Sequence, residues 1–175
     1  MNKKSGLFAV LLLCAFSLFI AGCEKSVFKS APKPPSADFS ADFTGSFNSL
    51  DVSGRLSASH GSLMNLKIDE PQTLSGLEIS YKDSCVALNR DDISCTADEA
   101  YLPNDSFPST LRAAVKSIAD GRIETSDETE ETVTYSLSGD FDLITDRNGA
   151  FIGLKSKNDT FELNFSNFRI DTPQG

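Results

Sequence analysis

Phe39-Ser40-Ala41-Asp42-Phe43-Thr44-Gly45-Ser46-Phe47 is the stretch on which the fold turns. Phe39, Ala41, Phe43, Gly45 and Phe47 alternate with Ser40, Asp42, Thr44 and Ser46. Successive side chains of an extended chain face opposite sides, so this period of two makes a strand with one buried face. The three phenylalanines also have the four-residue spacing of a helix face. The Ser, Thr and Gly between them are poor helix formers, so strand is the better reading.

The alternation continues downstream. Val52, Gly54, Leu56 and Ala58 form the next stripe, and His60-Gly61-Ser62 makes a turn. Met64, Leu66 and Ile68 follow and stop at Pro71, before Leu77, Ile79 and Tyr81. Lys82-Asp83-Ser84 turns the chain into Cys85-Val86-Ala87-Leu88, and Arg90-Asp91-Asp92 turns it toward Ile93-Ser94-Cys95. Such short connections between alternating strands imply hairpins and an antiparallel meander.

One helix interrupts it. Leu111, Ala114, Val115 and Ile118 lie at i, i+3, i+4 and i+7. Ser106 or Phe107 opens the helix, Pro108 suits its first turn and Gly121 its end. Arg112 and Lys116 fall outside the apolar stripe. The helix needs an apolar surface to cover, and the sheet is the one on offer. Residues 124–131 read as an acidic loop. Val133, Tyr135, Leu137, Gly139, Phe141 and Leu143 then alternate as one long strand, or as two around a bend at Gly139. Asn148-Gly149 predicts a two-residue hairpin turn with both residues at positive φ. Ala150, Ile152 and Leu154 return, and Phe161, Leu163 and Phe165 close the pattern. The stripe then shifts to Phe168 and Ile170, which predicts a bulge near Ser166-Asn167.

Upstream of this domain the chain changes character. Lys3 and Lys4 precede an uncharged run from Leu7 to Gly22, which ends Ile20-Ala21-Gly22-Cys23. The run is shorter than the roughly 20 apolar residues of a membrane-spanning helix. A basic start, a short apolar run and a small-residue cleavage site read as a signal peptide. Small residues directly before a cysteine resemble a bacterial lipobox. That resemblance implies cleavage after residue 22 and diacylation of the Cys23 thiol, against the alternatives of a plain secretory signal or a transmembrane helix. Two acyl chains give stable anchoring where one does not. The expected location is therefore extracytoplasmic, on a bacterial membrane, with nothing to choose between inner and outer.

Residues 23–36 then form a lipidated cysteine and a tether, in which Pro32, Pro34 and Pro35 disfavour a helix. Residues 37–175 form one domain, large enough for its own core. The chain carries a net charge of −9, and losing Lys3 and Lys4 with the leader makes it −11. Such a surface repels nucleic acid and anionic headgroups. No nucleic-acid partner is expected, and membrane affinity rests on the lipid.

No enzyme signature is present. His60 is the one histidine and falls in a turn, so neither a zinc ligand set nor an activated nucleophile can be assembled around it. Asp140 and Asp142 alternate with apolar residues and read as outward-facing rather than as an acid–base pair. Asp146-Arg147-Asn148-Gly149 begins like a calcium loop, but its glycine comes too early and Lys157 stands where Glu is required. No metal or cofactor is expected. Cys85 and Cys95 flank the turn at residue 90, and symmetric pairing about it would set them opposite each other as a disulfide. The alternative is two reduced thiols.

Several stretches resemble the LolA/LolB lipoprotein-carrier superfamily. Phe39 to Phe47 resembles its opening strand. Leu66-Lys67-Ile68-Asp69-Glu70-Pro71 followed by Leu77-Glu78-Ile79-Ser80-Tyr81 resembles the region where a proline separates two strands. The helix after Leu102-Pro103 sits where that family inserts helices. Gly149 to Gly153 and Phe161 to Ile170 resemble its closing hairpin. The resemblance implies a mainly β (α+β) fold: a curved antiparallel sheet, or incomplete barrel, of about eight or more strands with one covering helix. It also implies a non-catalytic protein that binds an acyl chain or a lipidated protein in an apolar concavity. Phe43, Phe47, Leu56, Leu66, Ile79, Leu111 and Val115 are then the candidate lining. A lipid anchor departs from a soluble shuttle, and fits an anchored receptor, chaperone or regulatory lipoprotein. The alternative is a surface lipoprotein with a filled core that acts through protein–protein contacts in assembly or signalling.

Overall fold

The computed structural model describes residues 30–171, apart from Ser62 and Gly139. The expected signal peptide, Cys23 and the first part of the tether lie outside the described residues, as do Ser62 of the first turn and the Gly139 bend. The strands are β1 (Phe39–Phe47), β2 (Leu50–Ser59), β3 (Leu63–Glu70), β4 (Glu78–Lys82), β5 (Cys85–Arg90) and β6 (Ile93–Asp98). A 3-10 turn (Glu99–Tyr101) and helix α1 (Phe107–Ala119) come next. β7 (Ile123–Glu128), β8 (Thr132–Leu137), β9 (Phe141–Asp146), β10 (Phe151–Ser156) and β11 (Phe161–Ile170) complete the elements of the described residues.

All eleven strands form one antiparallel sheet in the order β6-β5-β4-β3-β2-β1-β11-β10-β9-β8-β7. The first and last strands are neighbours, so the meander runs outward from the centre in both directions. Its two ends, β6 and β7, do not pair, and the sheet is curved but unclosed. The segment that joins those two edges carries α1. The helix therefore covers the sheet as the alternating stripes require.

The inward stripes make one core. Phe39, Ala41 and Phe43 of β1, Leu56 of β2, Leu66 of β3 and Leu163 of β11 are all buried, together with Leu111, Ala114, Val115 and Ile118 of α1. The centre of the sheet is drawn in closely. A side chain at Gly54 would run into the Lys67 carbonyl, while the ring of Phe43 in the paired position lies over the glycine. Ser106 caps α1 by accepting from the Ser109 N–H (3.4 Å), and Pro108 occupies the first turn, where no helical N–H bond is lost. At the other end Gly121 adopts φ 68°, Arg122 N–H donates to Ser117 O (2.9 Å) and Gly121 N–H to Ile118 O (3.1 Å). These are the two bonds of a Schellman stop.

Several readings from the sequence need correction. Residues 124–128 are not a loop but most of β7, while the acidic turn shrinks to 129–131. β7 is an edge strand with five of its six residues exposed, so no buried stripe marks it. Its Glu124, Asp127 and Glu128 blunt an otherwise adhesive edge. The Asn148-Gly149 turn has only Gly149 at positive φ (84°), and the Asp146 carboxylate accepts from both Asn148 N–H and Ala150 N–H (2.8 Å each). Two consecutive positive-φ residues occur instead at Asn48-Ser49 (49° and 66°), between the paired Phe47 and Leu50, and at His60-Gly61 (54° and 66°). Asp140 lies in the turn before β9 rather than on a strand face with Asp142. The expected bulge is present: Asn167 has φ 51°, and the register between β1 and β11 slips there. Ile170, placed on the shifted stripe, is nevertheless exposed.

Another correction concerns the cysteines. Cys85 pairs with Asp98, and Cys95 pairs with Leu88. The hairpin turns about Asp91-Asp92, not about residue 90, so the two cysteines are offset by three positions along the ladder. An odd offset puts them on opposite faces, about 10 Å apart along the strand. That is beyond disulfide reach, and both thiols are free and exposed.

The tether also ends earlier than residue 36. Lys33 N–H donates to Arg147 O (3.0 Å), and Pro35 is buried. Residues 32–36 belong to the same compact unit as the sheet.

Candidate functional site

Phe107, the first residue of α1, stands at the centre of an aromatic nest. Its ring centroid lies 5.8 Å from Phe43, 5.5 Å from Phe47 and 6.0 Å from Phe161, and Phe141 packs on Phe161 at 6.1 Å. Offset and edge contacts at these separations are favourable beyond the area they bury. The nest fixes the start of the helix to β1, β9 and β11. Beside it opens a cleft of about 460 Å³, floored by Phe47, Phe141 and Phe161 and rimmed by Asp105, Asp140 and Lys157. The Lys157 ammonium also donates to Ser136 Oγ (3.2 Å).

The seven candidate lining residues separate into two groups. Phe47 lines this cleft and is half-buried. Phe43, Leu56, Leu66, Ile79, Leu111 and Val115 do not; each is at most 4% exposed and belongs to the packed core beneath α1. The expectation that all seven face an open hollow is therefore corrected: six of them are interior packing. Phe141 and Phe161 do floor the cleft. Their stripes were legible, but the sequence does not show where α1 stops covering them.

A second cavity, of about 410 Å³, lies along the other side of the 103–113 segment. Tyr81, Ser84, Asp98, Glu99, Ser109 and Arg112 line it, and Asn104 borders both cavities. Arg112 falls outside the apolar stripe of α1, yet it is only 9% exposed. Its guanidinium carbon sits 5.4 Å from the centre of the Tyr81 ring, a cation–π contact. Glu99 Oε2 is 3.9 Å from Arg112 Nε, an ion-pair distance too long for a hydrogen bond. Burial pushes the Tyr81 phenol pKa upward. The neighbouring Ser109 and Arg112 act the other way, and Glu99 adds to the rise.

The outer face of the sheet carries a polar cluster around Asp42. Asn167 Nδ2 donates to Asp42 Oδ2 (2.7 Å) and Arg55 Nε to Oδ1 (2.9 Å). The Asn167 bond, then the Arg55 bond, holds the Asp42 carboxyl below its ordinary range. The cluster pins the bulge of β11 to β1 and β2. His60 is a turn residue at φ 54°, whose backbone N–H is taken by the Asp38 carboxylate. Among the described residues no group of three or more His, Cys, Asp or Glu is placed to hold a metal ion, and no helix is long and apolar enough to cross a membrane.

No protein-family model matches the chain, and no curated protein matches it.

Proposed function

We propose that the mature chain is a non-catalytic lipoprotein. A diacylated Cys23 holds it on a bacterial membrane outside the cytoplasm, and it binds an acyl chain or a lipidated protein on the concave side of its sheet. This is the role that resemblance to the LolA/LolB superfamily implies. The observation that supports it is the aromatic-floored cleft where the first turn of α1 meets the unclosed sheet. Its volume lies in the range of ligand sites, and phenylalanine offers the unspecific apolar area that an acyl chain needs. The experiment is native mass spectrometry of the chain extracted from membranes, with a fatty-acyl probe as the competitor. Bound lipid is expected, and Phe141→Asp removes it. Absence of both lipid and probe binding refutes the proposal. The anchor is tested separately, by labelling cells with a clickable fatty acid. Cys23→Ala should abolish label and membrane retention together.

One observation favours a second reading. Six of the seven candidate residues are consumed by core packing, which leaves less apolar hollow than a carrier requires. Under that reading the domain is a solid scaffold, and its surface engages a protein partner in assembly or signalling. Recovery of a stoichiometric protein partner from membranes, without bound lipid, is the result it expects.

A further inference from the structure

Two buried polar side chains that line one cavity carry unsatisfied atoms. Arg112 Nε and Nη1, and the Tyr81 hydroxyl, are enclosed and have no partner at good hydrogen-bond geometry among the described residues; the Ser109 side chain is the neighbour that holds the phenol's rise in check. Arg112 is 9% exposed and Tyr81 2%. Buried donors are almost always paired, because leaving water unrewarded is costly, and most of all for a charge. The Glu99 carboxylate, at 3.9 Å, neutralises part of the charge without satisfying an N–H. Both orphaned groups line the 410 Å³ cavity, whose remaining polar rim includes Ser84, Asn104 and Ser109.

The chemistry of the donors selects the ligand. Nε and Nη1 lie on different edges of the planar guanidinium, and each edge is completed by Nη2, so one carboxylate pairs bidentately with Nη2 and one of the two orphaned nitrogens. The Tyr81 hydroxyl supplies a further donor at the same wall. Asp98 and Glu99 also line the cavity, so a dianion such as phosphate meets two like charges. A single negative charge can take the place of the loose Glu99 contact, while Asp98 stays on the Ala100 N–H (2.9 Å). We propose that this cavity binds a carboxylate monoanion, held by Arg112 and Tyr81. The site does not depend on the acyl reading of the neighbouring cleft. The carboxylate belongs either to a small organic acid or to a free fatty acid whose chain passes Asn104 into the aromatic cleft.

The test is a titration of the ¹⁵N-labelled mature chain at neutral pH, followed at the Arg112 Nε–H resonance, with propionate, decanoate and inorganic phosphate as probes. A saturable shift is expected with a carboxylate, and phosphate should bind at least about tenfold more weakly. Tyr81→Phe keeps the ring and should weaken carboxylate binding about tenfold. Arg112→Lys keeps the charge but loses the planar fork, and should weaken it at least as much. Decanoate binding tighter than propionate identifies a fatty acid, while equal affinities identify a small acid; both support the site. No saturable shift with either carboxylate, equal binding of phosphate, or undiminished binding by Tyr81→Phe overturns it. If Arg112→Lys fails to fold, the Tyr81→Phe result decides.

Discussion

Leu111→Ala measures whether α1 is seated on a filled core or laid over a hollow. Leu111 is completely buried on the helix that touches β3 and β8. If its surroundings are close-packed, truncation removes three carbons' worth of transfer free energy and leaves a cavity that the sheet cannot collapse into. The expected loss is about 3–5 kcal/mol. For a folded body of about 140 residues, each kcal/mol moves Tm by about 3–5 °C, so Tm should fall by about 10–20 °C. The assay is urea unfolding followed by far-UV circular dichroism, with a thermal melt as a check. The midpoint should drop at an unchanged m-value, which excludes a change in the unfolded chain as the cause. Lys116→Ala, exposed on the same helix, should stay within about 0.5 kcal/mol. A loss below about 1 kcal/mol for Leu111→Ala would refute the reasoning. The helix would then be a loosely held cover, and Leu111 would return to the list of acyl-lining residues.

The remaining predictions concern the turn, the outer face and the thiols. Ser49 holds φ 66° in a two-residue hairpin turn, a conformation that favours glycine, so Ser49→Gly should stabilise by about 0.5–1 kcal/mol in the same urea assay. The Asp42 carboxyl is held below its ordinary 3.8. A lowered folded-state value means a contribution fully present above about pH 4 and lost as pH falls through the lowered value. Asp42→Asn should therefore be less stable than the parent at pH 6, and the gap should close toward pH 2; a gap that stays constant with pH would contradict the assignment. Both Cys85 and Cys95 should alkylate in the folded chain without reductant, and changing either to Ser should leave Tm unmoved. A mass two daltons low, restored by reductant, would show instead that they bridge.

How far the fold was legible follows from which strands have a buried face. β1, β2, β3 and β8 each alternate buried with accessible residues over most of their length, and the period of two reads through directly. β6 and β7 are edge strands with almost every residue exposed. Nothing selects their side chains for a stripe, so β7 passed for an acidic loop. The cysteine pairing failed on a smaller scale. The stripe says which face a residue takes, but the register depends on which residues turn, and the centre of the turn fell between Asp91 and Asp92 instead of at Arg90. The candidate site was legible only in part. Phe47 came out of the pattern because it ends a stripe. Arg112 did not, because a helical period assigns a charged side chain to solvent and cannot see a tyrosine rising from β4 beneath it.

The number of strands explains why the core is full and the clefts are peripheral. A barrel of about eight strands has an interior that its own side chains can fill, and a wider sheet encloses more space than they can reach. Eleven strands in one curved, unclosed sheet leave that excess, and α1 is the element that covers it. The same segment must carry the chain from β6 to β7, so one helix both links the edges and covers the sheet's inner face. A helix of thirteen residues, about 20 Å long, leaves space at both ends: two cavities adjoin the segment around its start, and a third, of about 730 Å³, lies past its end beside Gly121 and Arg122. Phe47, Phe141 and Phe161 of the aromatic nest bound the first, and Arg112 with Tyr81 the second. Binding at the start of the helix needs no displacement of the core. Occupying the six buried candidate positions would require lifting α1 out, against the several kcal/mol that Leu111 alone should report.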